Sequence, residues 1–363
     1  MLPFAPPDTA DLDEVLSGVP LTTRIVDLNA LRIGLRTNVP DFAGYSYFTR
    51  FADAADPEAA PVDFWLDCVD LDHTPVDERT VRRLADDTFR GKRFSSGFYL
   101  TSYFGDPAYL VSRGSRFAVF GRKLEKTVWP YFVKHILTVF GAEHDMLHLK
   151  AAGFTDPEGR GTLLFGRGGA GKTVFLASAC GAGMSFLTNT HVLLRGEQAY
   201  GVPSSMRIRD DDLFGPFIRA GGVEPHLEAG EFVADPARLF PHTADSGRVA
   251  NLCVVDHRKD LPFGVRTLDD DDAYDFLEQF AFAVSAYGLK DDLLAHYGGD
   301  FERYVQAYAR MKAQLRALVA ATRTFHVNMD MLDSGMRDEV LALLSSREQE
   351  PLKIGGTAWP ESR

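Results

Sequence analysis

Eight consecutive residues constrain this chain more than anything else in it: Gly166-Arg167-Gly168-Gly169-Ala170-Gly171-Lys172-Thr173. They fit the pattern G-x-x-x-x-G-K-[ST] in full. The apolar run Thr162–Phe165 predicts a strand before them, and Val174–Cys180 predicts a helix after them. Glycines let such a loop wrap with its N–H groups turned inward, which makes an anion nest. The following helix adds unpaired N–H groups and the positive end of its dipole. Lys172 would supply a point charge toward the β- and γ-phosphates, and the Thr173 hydroxyl is placed to ligate Mg²⁺. The predicted phosphate cradle therefore runs through Gly166, Arg167, Gly168, Gly169, Ala170, Gly171, Lys172, Thr173 and Val174, with ATP or GTP as ligand. Arg167 fits equally well across the phosphates or as an exposed loop side chain.

Charge sharpens this expectation. The chain of 363 residues carries 39 Lys and Arg against 51 Asp and Glu, a net charge of −12. A field of that sign repels nucleic acid and anionic membrane surfaces, so a bound anion needs a local cationic site. Hydrophobic residues at 45% and charged residues at 25% exclude disorder as the main state. Residues 1–13 lack a basic patch followed by an apolar stretch, so no secretory signal is expected. No apolar run approaches the length of a membrane span. Cys68, Cys180 and Cys253 lie far apart in apolar segments without metal-ligand spacing, which predicts buried free thiols and a cytoplasmic setting.

Along the chain, residues 1–20, with four prolines, read as a loose lead-in. Period-two alternation at Leu31, Ile33 and Leu35 and at Val62, Phe64, Leu66 and Cys68 predicts half-buried strands. With shorter candidates at Phe98–Ser102, Ala108–Ser112 and Phe117–Phe120, residues 21–123 read as a β-rich, antiparallel N-terminal region. A helix is predicted from Leu124 to Phe140, with Pro130 in its first turns or kinking it. Residues 124–268 would hold the nucleotide-binding core, with strands at Leu147–Phe154, Phe186–Leu187, Val192–Leu194, Met206–Ile208 and Leu252–Val255. Residues 269–363 read as a helical extension. One helix is expected to carry Phe276, Phe280, Phe282 and Val284, another the stripe from Tyr304 to Val319, and a last short one Arg337–Leu344. A final strand is expected at Phe325–Met329. The fold class is α/β locally and α+β overall.

Outside the loop, Leu252-Cys253-Val254-Val255-Asp256 is an apolar strand ending in Asp, the pattern that brings a carboxylate to Mg²⁺. Asp256 is the metal-ligand candidate beside Thr173, although an Asp ending a buried strand is common. Arg207 and Arg209 alternate with Ile208 and share one strand face, where guanidinium groups could clamp phosphate oxygens or pair with Asp210–Asp212. The acidic run Asp269–Asp272 reads as a helix opening, and Ser204-Ser205 has no partners for hydrolase chemistry.

The stretch from Leu147 to Arg209 resembles the HPr kinase/phosphorylase family and its phosphoenolpyruvate-carboxykinase-like relatives. The resemblance rests on the loop, on Met146-Leu147-His148-Leu149-Lys150-Ala151-Ala152, on Gly201-Val202-Pro203 and on Met206-Arg207-Ile208-Arg209. It also extends to the kinase-like members associated with peptide and natural-product modification. It implies transfer of a γ-phosphoryl group to a hydroxyl of a peptide, protein or small metabolite. In one place the chain departs from the family. Asn189-Thr190 stands where the family carries an Asp-Asp pair that supplies the base. Asn189 could still hold substrate or metal, and His191 or His148, which the resemblance points toward the phosphates, could replace the base. A nucleotide-gated regulator with slow hydrolysis, or another ATP-driven transfer such as ligation, remains an alternative. The sequence leaves the acceptor and any homo-oligomer open.

Overall fold

Two large sheets share one apolar core, and a helix buried on all sides lies within it. The computed structural model describes residues 9–53, 61–85, 87–89, 108–221, 223–226, 230–257, 262–284 and 289–346, and the architecture is α+β. The first part comprises α1 (Thr9–Ser17), β1 (Thr22–Asp27), β2 (Arg32–Thr37), β3 (Phe51–Asp53), β4 (Phe64–Asp70), α2 (Glu78–Leu84), β5 (Asp87–Phe89), β6 (Ala108–Arg113) and β7 (Arg116–Gly121). The strands form one sheet in the order β3-β1-β2-β4-β7-β6-β5.

This sheet corrects two expectations. It is mixed, because β4 runs parallel to both β2 and β7. Alternating side chains reveal a strand but not its direction, and β4 is buried on both faces, as parallel central strands are. Nor is the segment from Thr9 a loose lead-in. Leu12 and Leu16 of α1 pack with Val69, Val81, Tyr109 and Val111 on the outer face of the sheet. Across the three central strands, buried Asp67 accepts hydrogen bonds from Arg36 on β2 (2.5 and 2.8 Å) and Arg116 on β7 (2.9 Å). A buried carboxylate is tolerated when it is paired in this way. The strand expected at Phe98–Ser102 lies outside the described residues.

A π-helical turn, Val128–Val133, leads into α3 (Lys134–Glu143). Pro130 has no N–H to donate, and the wider turn accommodates it. From His135 to Ala142 every residue of α3 is buried, the polar His135 and Thr138 included. Its side chains join those of β2, β4 and β7 to those of the second sheet in one cluster.

The second part contains β8 (Leu147–Lys150), β9 (Ala152–Thr155), β10 (Arg160–Phe165), α4 (Lys172–Gly181), β11 (Ser185–Thr188), β12 (His191–Arg195), β13 (Gln198–Gly201), β14 (Met206–Arg209), α5 (Gly215–Arg219), β15 (Glu224–Pro225), β16 (Glu231–Ala234), α6 (Pro236–Leu239), β17 (Ser246–Asp256), β18 (Gly264–Thr267), α7 (Asp270–Glu278), α8 (Leu289–His296), α9 (Phe301–Ala321), β19 (Arg323–Asn328) and α10 (Ser334–Ser345). The sheet runs β11-β9-β10-β17-β13-β12-β8, with β19 parallel to β17 and β18 beside β19. Its two ends are nearly continuous in the chain. β8 passes into β9 through Ala151, and β11 passes into β12 through Asn189 and Thr190, so the path returns on itself.

The last segment also departs from expectation. α7 stops at Glu278 and Phe282 lies outside any helix, with Ala281 bridged to Leu149 of β8. The aromatic spacing there serves two directions of packing, onto Phe165 through Phe280 and onto His148 through Phe282. Residues 269–346 are not a separate helical extension either, because β19 completes the central sheet. The acidic run does open a helix, with the Asp269 carboxylate accepting from the Asp272 N–H.

Candidate functional site

Strand, glycine loop and helix follow one another as the motif predicts. β10 ends at Phe165, residues 166–171 turn, and α4 begins at Lys172. Gly166 has φ +153°, and a Cβ there would lie 2.7 Å from the Val255 carbonyl of neighbouring β17, so only glycine lets the loop start so close to that strand. Gly171, at φ 88°, precedes α4, and no side chain caps that helix. By contrast α7, α9 and α10 open with Asp269, Asp300 and Asp333 as caps. The first N–H groups of α4 thus have no capping carboxylate to compete with an anion. Lys172 folds back over the loop, and its Nζ donates to the carbonyls of Gly166 (2.7 Å) and Arg167 (2.9 Å). Burial and the Lys150 charge push its pKa down to about 8. Gly168, Gly169, Arg167 and Thr173 are exposed, Ala170 is half-buried, and Val174 packs partly against the core.

Asp256 ends β17, which runs parallel to β10. Its carboxylate lies 3.5 Å from His326 on β19. No cluster of three or more His, Cys, Asp or Glu that could hold a metal occurs among the described residues. One carboxylate, one hydroxyl and the phosphates of a nucleotide nonetheless suit Mg²⁺, which keeps several waters and needs few protein ligands.

The break between β8 and β9 sets the second group of residues. β9 pairs with β10 up to Leu164↔Ala152, and the charge of Lys150, just before that break, adds to burial in lowering the Lys172 pKa. Lys150 itself pairs with His191 of β12. The Lys150 charge thus acts both on Lys172 of the loop and on His191.

Both histidines lie in the interior. His148 and His191 are 1% and 0% exposed. His148 stacks on Phe282, and Trp129 packs edge-on against His191. Burial and the nearby Lys134 charge hold the His148 pKa well below 6.5, and burial, His148, Lys134 and Lys150 do the same to His191. Both rings are therefore neutral at pH 7, and their tautomers follow from their partners. The Thr138 hydroxyl donates to the Lys134 carbonyl (2.8 Å), so its oxygen accepts from His148 Nδ1 (3.0 Å). His148 Nε2 then accepts from His191 Nδ1 (3.0 Å). The chain ends at His191 Nε2, a buried acceptor with no hydrogen-bond donor.

Asn189 is spent on structure. Its amide donates to the Ser205 carbonyl (3.0 Å) and accepts from the Ser204 hydroxyl (2.8 Å). Ser205 in turn bonds the carbonyls of Ser46 and Tyr47, which ties the N-terminal sheet region to this turn. Arg207 and Arg209 share a face of β14 as predicted, but both pair with Glu231 of β16 (3.3 and 2.7 Å) rather than with Asp210–Asp212. Glu231 lies 3.8 Å from His226, whose Nε2 bonds the Tyr47 hydroxyl (3.1 Å). Tyr47 stacks on Trp129, which closes the circuit back to His191.

Sequence reasoning passed over Lys134 and Lys150. The available signal was their setting, since each is an isolated lysine in an otherwise apolar run. Burial, Lys150 and Arg207 push the Lys134 pKa down to about 7. The unfolded chain would hold that proton up to about pH 10.4. Folding therefore bears the full penalty below pH 7, and stability rises with pH between about 7 and 10 as the unfolded state alone stays protonated. Lys134→Met is expected to stabilise the protein by about 1–3 kcal/mol at pH 7 and to flatten that rise. Urea denaturation at several pH values measures both, and an unchanged slope would refute the assignment. No protein-family model matches this chain, and no curated protein matches it.

Proposed function

We propose that the chain is a phosphotransferase that binds ATP or GTP with Mg²⁺ on the 166–173 loop and transfers the γ-phosphoryl group to a hydroxyl of a peptide, protein or small metabolite. The observation that carries this reading is the loop itself: glycine entry beside Val255, an uncapped helix start, and Lys172 held over the loop carbonyls. On binding, Lys172 would exchange those carbonyls for phosphate oxygens, and the loop and α4 amides would take the rest. Thr173 and Asp256 would hold the Mg²⁺, whose charge offsets that of the β- and γ-phosphates. The acceptor oxygen forms the new bond to phosphorus as the bond to the β–γ bridging oxygen breaks, and the hydroxyl proton leaves with late transfer to solvent or to the phosphoryl oxygens. Such a loose transition state asks mainly for positioning and charge neutralisation, so a buried, neutral histidine pair is compatible with it.

A second reading, a nucleotide-gated regulator without a phosphorylated acceptor, is favoured by the engagement of Asn189 and the burial of His148 and His191, which leave no base of the family's kind. Incubation with γ-labelled ATP and extract or a hydroxyl-compound library separates the two. Label on an acceptor, lost in Lys172→Ala, supports transfer. Release of inorganic phosphate alone supports the regulator, and absence of nucleotide turnover and binding sinks both.

A further inference from the structure

The glycine loop provides for the phosphates of a nucleotide but not for its base. β10, β17 and β19 run parallel and end at one face, the face at which residues 166–171 turn into α4. Ligands of such sheets gather outside the carboxyl ends of the parallel strands. Asp256 ends β17, and His257 follows it at the surface. A Cβ at Gly171 would lie 3.7 Å from the His257 Cβ, so this histidine stands within van der Waals reach of the last glycine of the loop. Its imidazole is held in place, because Nδ1 donates to the Met329 carbonyl just beyond β19 (3.0 Å). The ring lies nearly parallel to that of Phe263, with 20° between the planes and 6.3 Å between the centroids. Phe263 is fixed from the same short stretch. The Asn328 amide donates to the Pro262 carbonyl (3.1 Å), and Gly264 pairs with Asn328. Asn328 and Met329 therefore order both rings, yet Phe263 stays 36% exposed. A lone apolar side chain at the surface needs no explanation. Here the backbone is pinned on both sides of Phe263, and its ring is aligned with an imidazole that borders the loop. The result is a flat, ordered aromatic surface beside the place where phosphates would sit. The rings of His148, His191 and Trp129, by contrast, are buried and offer no open face.

We propose that His257 and Phe263 form the wall that receives the base of the bound nucleotide, with the base stacked on the Phe263 ring. This rests on the nucleotide reading and extends it from the phosphates to the nucleoside. Stacking on an aromatic face contributes measurably to affinity and tolerates different bases, because every base has a π-face. The same wall therefore serves ATP and GTP. His257 fills the space between the loop and Phe263, and its bond to Met329 keeps the wall aligned before a ligand arrives.

The test is calorimetric titration of ATP and of inorganic tripolyphosphate, each with Mg²⁺, into the wild type and its variants. Tripolyphosphate engages the loop but carries no base. The wild type is expected to bind ATP about tenfold more tightly than tripolyphosphate. Phe263→Ala should weaken ATP about tenfold and leave tripolyphosphate unchanged, which also shows that the variant is folded. Phe263→Trp should keep ATP affinity, and its added indole fluorescence should be quenched by ATP but not by tripolyphosphate. Phe301→Ala, which removes an exposed phenylalanine of α9, should bind ATP as the wild type does. Unchanged ATP affinity in Phe263→Ala, or equal weakening of both ligands, would overturn the proposal. Equal binding of ATP and tripolyphosphate by the wild type would overturn it too, while the phosphate cradle would stand. Should the wild type bind neither ligand, the nucleotide reading fails and the wall fails with it.

Discussion

Lys172→Ala is expected to weaken binding of Mg²⁺ and ATP by about 100-fold or more while leaving the fold intact. The lysine supplies the one full charge that the motif places against the β- and γ-phosphates, and charge-assisted bonds of this kind are the strong ones. In the ligand-free chain its Nζ bonds two loop carbonyls, at 2.7 and 2.9 Å. Its loss removes those contacts too, but they hold an exposed loop and not the core, so thermal stability should change little. Titration of a fluorescent nucleotide measures the affinity, and thermal unfolding provides the control. An affinity change below about threefold would remove the basis for the nucleotide reading.

Gly201→Ala is expected to destabilise the protein by about 3–5 kcal/mol. A Cβ at this position would lie 2.1 Å from the Leu187 carbonyl and 2.9 Å from its carbon, a collision with backbone that no rotamer relieves. β13 ends here, and the turn through Val202 and Pro203 then delivers Ser204 and Ser205 to Asn189. The Gly201 carbonyl also accepts from the Asn29 amide (3.1 Å), so displacing it loosens the N-terminal sheet from the site. Chemical denaturation reads the stability loss. Unchanged stability would mean that the close approach of these strands is not maintained in solution.

Much of the site was legible because it is local. Residues 162–180 encode strand, loop and helix within one short stretch, and each part depends on its neighbours in sequence. The pairing of Arg207 and Arg209 on one face of a strand is likewise a matter of alternation. Contacts between distant segments were not legible in this way. Nothing near Asn189 announces that its amide is consumed by Ser204 and Ser205, and nothing near His148 announces His191 as its partner. The helix expected across Phe276 to Val284 failed for the same reason: the spacing of aromatics suits a helix, but β8 pairs with the backbone at Ala281 and draws the chain out of it.

The sequence by itself determined the α+β class, the central strands, the glycine loop and the start of α4, since these follow from periodicity and from short-range backbone preference. Tertiary structure alone decided the surroundings of Lys134 and Lys150. Lys134 and Lys150 are 16 residues apart in the chain, and Arg207 is farther still. The charges of Lys150 and Arg207 reach Lys134 because α3 is buried against the second sheet. Burial is a property of that assembly, and burial is what lowers the lysine pKa values and leaves His191 Nε2 without a donor.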